Sequence, residues 1–243
     1  MTIVKATNLS VEFPIYTASQ RSFKKVLFAK KVGGGLSKTA NSLAVTALNN
    51  LNFEIHEGDR VALIGHNGAG KTTLLRILAQ VYYPTSGDIQ INGNVISLID
   101  MTMGMDSEAT GYQNIFIRGI LLGLTRKEIA KNVDAIIDFS ELGEYINLPV
   151  RTYSSGMLLR LAFSVISVLN PNILLMDEWL TVGDASFKEK MASKLEEMVN
   201  NTSVLILASH SKNIIEKYCN RFFLLENGFL TEIGNDKLAE IVS

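Results

Sequence analysis

The chain has 243 residues, which fits one large domain or two small ones, is 47% hydrophobic, ample for a core, and carries a net charge of −1. A near-neutral chain lacks the basic surplus that draws proteins to nucleic acid. Its one cysteine, Cys219, cannot close an internal disulfide, which suits a reducing compartment. No N-terminal segment joins basic residues to an apolar run as a signal peptide does. The longest apolar stretch, Leu161 to Leu169, is far short of the roughly 18 residues that suggest a membrane span. The charge is uneven. Residues 17 to 43 hold Arg21, Lys24, Lys25, Lys30, Lys31 and Lys38 and no acid, so the remainder is acid-rich.

In chain order, residues 3 to 13 read as a strand. Phe23, Val26 and Leu27 then have the spacing of a short amphipathic helix over about 21 to 31, ended by Gly33-Gly34-Gly35. Leu51 to Ile55 and Val61 to Ile64 are strands separated by a turn at Glu57-Gly58-Asp59, and Thr72 to Gln80 is a helix. Ile89 to Ile91, Asn92-Gly93 and Val95 to Ile99 predict a hairpin. Residues 107 to 165 are mostly helical, with capping boxes at Thr110–Gln113 and Thr125–Glu128. Ile129, Val133, Ile136 and Ile137 share one face of the second of these helices. Strand–helix alternation resumes with Ile173 to Met176, a helix over 187 to 199 and Val204 to Ala208, and two strands near Phe222 to Ile233 close the sheet. The pattern is a helical insertion within an α/β domain.

Gly65-His66-Asn67-Gly68-Ala69-Gly70-Lys71-Thr72 satisfies the phosphate-loop pattern G-x-x-x-x-G-K-[ST] between a buried strand and a helix. Glycines let the backbone curl so that N–H groups face phosphate oxygens, and the helix end adds partial positive charge. Lys71 is placed for the β- and γ-phosphates and the Thr72 hydroxyl for Mg²⁺, and the nucleotide-binding set runs on to Thr73. Downstream, four apolar residues end in Asp177-Glu178, and a buried strand seldom ends in two carboxylates without a cation or polar ligand nearby. Asp177 suits Mg²⁺ and Glu178 an attacking water, while His210, after the apolar VLILAS, is in position for a γ-phosphate. The stretch YSSGM, residues 153 to 157, opens another helix with small residues that leave backbone N–H groups accessible.

The order and spacing of Gly65–Thr72, Asp177-Glu178, Asp184 and His210 resemble those of ABC-transporter ATPase domains, over nearly the whole chain. The resemblance implies an α/β fold: a P-loop ATPase core with a mixed sheet, an antiparallel β subdomain and a helical subdomain at about 103 to 168, all one domain of residues 1 to 243. It implies that YSSGM stands for the family's LSGGQ-like signature, in which Ser154, Ser155 and Gly156 would face the ATP held by a second copy; Ser155 replaces a glycine and Met157 a glutamine. Asp100 falls near the family's Q-loop glutamine, either as a water-mediated Mg²⁺ ligand or as an ordinary loop acid. Phe13 or Tyr16 would stack on adenine, unless both are core. Phe13 and Lys71 are 58 residues apart, more than the family usually shows, because of the basic stretch.

The YSSGM signature, that insertion and Asp177-Glu178-Trp179 together resemble the branch that exports lipid-linked polysaccharide such as O-antigen or capsule, with teichoic-acid exporters close by. The resemblance implies ATP and Mg²⁺, a second copy of the chain, and a separate transmembrane permease in two copies. It places the protein peripherally on the cytoplasmic face of the bacterial inner membrane, in indirect contact with the glycan and with no nucleic-acid partner. Only 33 residues follow His210, too few for the carbohydrate-binding domain that some such exporters carry. The basic insertion either faces anionic lipid or a pyrophosphate head group, or is a solvated loop. Two other readings compete with an exporter subunit: a soluble ABC ATPase acting on ribosomes or DNA, and a P-loop kinase or GTPase. The first usually needs a second ATPase module or a long coiled coil, and the signature and His210 disfavour the second.

Overall fold

The computed structural model describes residues 1–15, 35–39, 42–178 and 185–241. The chain divides into two units: Met1–Val95 with Asn172–Trp179 and Ser203–Ser243, and Ile96–Pro171 with Leu180–Thr202. The helix expected over residues 21 to 31 lies outside the described residues.

In the first unit, β1 (Thr2–Ile15) and β3 (Ser42–His56) pair antiparallel from Thr2↔His56 to Ile15↔Leu43. Val4, Ala6, Leu9 and Val11 of β1 are buried, and register shifts after Ala6 and Leu9 keep its apolar residues facing inward through the bends. β2 (Gly35–Thr39) joins the far edge of β3, and β5 (Ser86–Ile91) joins β1, giving the order β2-β3-β1-β5. Leu51 to Ile55 is therefore the end of a strand of 15 residues.

The expected hairpin of Ile89–Ile99 does not form. The partner of β5 is β1, with Val4 opposite Ile91, and the Asn92 N–H is taken by the Ile3 carbonyl at 2.8 Å. Asn92-Gly93 is a turn that leaves the sheet. Gly93, at φ +122°, lies against Asn172, whose side-chain oxygen accepts from the Asn94 N–H at 2.9 Å. The chain then enters β6 (Val95–Ser97), an edge strand of the other sheet, at which the first unit passes into the second.

That sheet contains β4 (Arg60–Ile64), β7 (Ile173–Asp177), β8 (Val204–Ala208), β9 (Arg221–Glu226) and β10 (Phe229–Ile233), in the order β10-β9-β4-β8-β7-β6. β4 is parallel to β8 and β9, and β7 is parallel to β8, while β9 and β10 form an antiparallel hairpin. β8 is buried at every position, as is Val61–Ile64, because a parallel strand is covered on both faces. Helix α1 (Lys71–Leu78) follows β4. The register sets Leu63 beside Ala208 and Ala208 beside Asp177. The segments leaving β4, β7 and β8 therefore emerge along one edge, where open α/β sheets bind ligands.

The second unit is helical: α2 (Gly111–Leu121), α3 (Arg126–Ser140), α4 (Ser155–Ile166) and α5 (Ala185–Asn201). Both capping boxes form, Thr110 with Gln113 and Thr125 with Glu128. Ile129, Val133 and Ile136 of α3 pack with Ile115, Leu161 and Val165. The loop ahead of α2 is held from within by Asn114, which is wholly buried. Its oxygen accepts from the Asp106 N–H at 2.9 Å, and its amide donates to the carbonyls of Asp106 at 2.9 Å and Ala109 at 3.2 Å. Asn114→Ala removes the Asn114 partner of the Asp106 N–H and carbonyl, while the Ala109 carbonyl keeps the Val150 N–H at 3.0 Å, and should cost about 1–3 kcal/mol. Urea denaturation followed by circular dichroism should show the lower midpoint, and an unchanged midpoint would remove Asn114 from this role.

Candidate functional site

The loop between β4 and α1 depends on close backbone approaches that only glycine permits. A Cβ on Gly65 would lie 2.2 Å from the Leu225 carbonyl oxygen, and one on Gly70 2.7 Å from that of Ala47. Gly70, Gly68 and Gly65 have φ of +110°, +83° and +153°. Gly70 precedes α1 without any side-chain cap, so no side chain of its own occupies the N–H groups of the first turn. The Lys71 side chain folds back under the loop. Its Nζ donates to the carbonyls of Gly65 at 2.6 Å and His66 at 3.3 Å, and lies 3.2 Å from His210 Nε2. With Lys71 as donor, Nε2 is the acceptor of that contact. Burial pushes the Lys71 ammonium below its usual range, and the carboxylates of Asp177 and Glu178 pull it back up.

Asp177 is the last residue of β7, and its Oδ2 accepts from the Thr72 hydroxyl at 2.7 Å. Glu178 follows in a left-handed conformation, φ +68°, with its N–H on the Ala208 carbonyl at 2.8 Å. Such a backbone is unfavourable for a residue with a Cβ by about 1–2 kcal/mol. It persists here because Ala208 and Ser209, at the end of β8, fix the Glu178 N–H and one of its carboxylate oxygens. Ser209, wholly buried, donates from its hydroxyl to Glu178 Oε2 at 3.0 Å. Phe13, near the end of β1, is 40% exposed. Phe13, Asn67, Lys71, Thr72, Glu178 and His210 are among the residues that line one cleft of about 390 Å³.

Of the residues singled out from sequence, the first unit brings together the phosphate loop, Thr72, Thr73, Asp177, Glu178, His210 and Phe13. Tyr16 and Asp184 lie outside the described residues. Asp100 belongs to the second unit, in a turn where it has φ +51° and its carbonyl accepts from the Met103 N–H at 2.8 Å. Ser154, Ser155 and Gly156 also belong to that unit. Ser154 caps α4, accepting from the Met157 N–H at 3.2 Å, and Ser154 and Ser155 are exposed. The approach to this helix is fixed by Tyr153, whose hydroxyl donates to the Tyr145 carbonyl at 2.6 Å and leaves no room for a Cβ on Gly111. Arg160 is set over the Phe187 ring at 4.6 Å and pairs with Glu141 at 3.5 Å.

Two contributors escape sequence reasoning. Ser209 has no signal beyond its place before His210. Tyr82, which packs edge-on against Phe13, belongs to a loop with no motif at all. Among the described residues no cluster of three His, Cys, Asp or Glu side chains could hold a metal ion.

A glycine-curled loop on an uncapped helix end, with a buried lysine and strand-end carboxylates beside it, defines a nucleoside-triphosphate-binding protein of the P-loop class. Residues 48–181 match the ABC transporter family, and the chain belongs to it. It is 41% identical over 239 residues to the O-antigen export system ATP-binding protein RfbE of Yersinia enterocolitica, covering 98% of this chain and 100% of that one. It is 39% identical to the teichoic acids export ATP-binding protein TagH of Lactococcus lactis, covering 95% of this chain and 48% of the longer relative. The dimeric ATP-binding cassette MJ0796, in a post-hydrolysis state bound to ADP and Pi, has the same fold at TM-score 0.66 and 20% identity, covering 95% of this chain and 98% of that one.

The glycine geometry gives a paired test. Gly65→Ala drives a Cβ into the Leu225 carbonyl and should abolish ATP binding. Gly58→Ala, at φ +89° with nothing within 4 Å of the added atom, should cost about 1–2 kcal/mol of stability and leave binding intact. Titration with a fluorescent ATP analogue distinguishes them, and equal binding by the two variants contradicts the packed-loop account.

Proposed function

We propose that the chain is the ATP-hydrolysing subunit of an exporter of lipid-linked polysaccharide, of O-antigen or capsule type. The observation that carries the ATPase reading is the convergence of Lys71, Thr72, Asp177, Glu178 and His210 on one cleft. In this reading the loop N–H groups of residues 66 to 73 and Lys71 take the β- and γ-phosphates. Lys71 exchanges the carbonyls of Gly65 and His66 for phosphate oxygens when the nucleotide enters. Phe13 stacks on the base. Glu178 orients and polarises the attacking water, with Ser209 fixing one of its oxygens, and His210 contacts the γ-phosphate.

Thr72 and Asp177 suit Mg²⁺. A hydroxyl and a carboxylate 2.7 Å apart are hard oxygen donors, and Mg²⁺ is usually held by one or two protein oxygens with phosphates and water completing its shell. Bound there with the nucleotide, it would neutralise charge developing on the β- and γ-phosphates. Asp100 is a further candidate through water.

Neither the phosphate loop nor the signature encloses a γ-phosphate alone. Two copies sandwiching two ATPs, each presenting Ser154, Ser155 and Gly156 to the other's nucleotide, complete the site. The MJ0796 cassette, dimeric by its description, supports this arrangement. The names of the Yersinia and Lactococcus relatives support export of a surface glycan. The second of those names keeps teichoic acid as the alternative cargo. No helix among the described residues is long and apolar enough to cross a membrane. In this reading a separate permease, in two copies, forms the path, and the chain sits peripherally on the cytoplasmic face of the inner membrane. The basic residues between 17 and 43 would then face anionic lipid or a lipid-pyrophosphate head group.

Glu178→Gln is the direct test. The amide is nearly isosteric, so ATP affinity should stay within about twofold while turnover falls about 10²- to 10⁴-fold. Sedimentation of this variant with ATP and Mg²⁺ should show a dimer. Turnover near that of the unaltered protein removes Glu178 from the mechanism, and a persistent monomer at high concentration counts against the paired site.

A further inference from the structure

We infer that Tyr82 is a positioning residue for the nucleotide base, acting through Phe13. The inference rests on the reading of Phe13 as the ring that stacks on the base. Phe13 is two residues from the end of β1 and substantially exposed, so the strand alone fixes it poorly. The Phe13 and Tyr82 rings meet in a T shape, with ring centroids 5.9 Å apart and planes at 72°, a favoured aromatic geometry that restrains Phe13 while leaving it 40% exposed.

Tyr82 is itself held from α1. The Arg76 guanidinium is 5.8 Å from the centre of the Tyr82 ring, and the Arg76 carbonyl accepts from the N–H groups of Val81 at 2.9 Å and Tyr82 at 3.3 Å. The same loop ties down the strand that carries Phe13. Thr85 donates its N–H to the Ser10 carbonyl at 2.8 Å, and its hydroxyl oxygen accepts from the Glu12 N–H at 2.9 Å. The loop of residues 81 to 85 thus joins the two sides of the Phe13–Tyr82 contact, holding Tyr82 to α1 and the Phe13 strand to Thr85.

The anchor has a geometric consequence. α1 begins at Lys71, where the phosphates are read, and its last turn contains Arg76. The eight residues of this helix span about 12 Å. One rigid element therefore sets the phosphate site at its first turn and, through Arg76 and Tyr82, the base-stacking ring from its last. Phe13 and the phosphate loop line the same cleft, so a shift of Tyr82 is expected to act on the base and not on the phosphates.

The test compares Phe13→Ala, Tyr82→Ala and Tyr82→Phe for ATP turnover, and for binding of tripolyphosphate, which has no base. Tyr82→Ala should raise KM for ATP about threefold to tenfold with kcat within twofold and tripolyphosphate affinity unchanged. Phe13→Ala should raise KM at least as much. Tyr82→Phe keeps the edge contact and should restore the KM. If Phe13→Ala raises KM and Tyr82→Ala does not, the brace is wrong while base stacking stands. If neither does, both fail. If Tyr82→Ala weakens tripolyphosphate binding as much as ATP binding, the residue supports the loop in general and the inference is overturned.

Discussion

Everything in the first unit is arranged around a buried ammonium group. Lys71 is 8% exposed, and a cation so placed must be compensated. Two carbonyls of its own loop provide contacts at 2.6 and 3.3 Å, and these exist only because the backbone from Gly65 to Gly70 doubles back over the side chain. The curl in turn needs contacts that exclude a Cβ, with Leu225 on one side and Ala47 on the other. The phosphate loop is thus clamped between β9 and β3, strands from the two sheets, and its shape is a property of that packing as much as of its own sequence.

The parallel part of the sheet provides the rest. Because β4, β7 and β8 run in the same direction and in register, the loop, Asp177-Glu178 and Ser209-His210 leave the sheet side by side. Contacts between groups over a hundred residues apart follow directly. Thr72 reaches Asp177 at 2.7 Å, and Lys71 reaches His210 at 3.2 Å. The antiparallel sheet contributes Phe13 of β1 to the lining of the cleft. The cleft is therefore divided by charge, with a cation and backbone donors at α1, carboxylates at the end of β7 and an aromatic ring at β1.

Much of this was legible in the sequence, and the reason is local. A phosphate loop, a capping box and an apolar strand ending in two acids each announce themselves within eight residues, since backbone conformation and chemistry are specified together there. Thr110, Thr125 and Ser154 all cap the helices expected of them. What failed was long-range. Asn92-Gly93 between two apolar runs has the local form of a hairpin, yet Ile91 lies opposite Val4, a partner that no neighbouring residue reveals. Ser209 and Tyr82 escaped for the same reason. A serine and a tyrosine are ordinary residues until the fold brings Glu178 and Phe13 to them.

Lys71 is buried on two carbonyls of its own loop, and we propose that phosphate oxygens displace them. Calorimetric titration of Lys71→Ala with ATP measures this exchange. The variant should still fold and lose at least about tenfold in affinity, about 1.4 kcal/mol or more. A folded Lys71→Ala protein that binds ATP as tightly as the unaltered chain would contradict it.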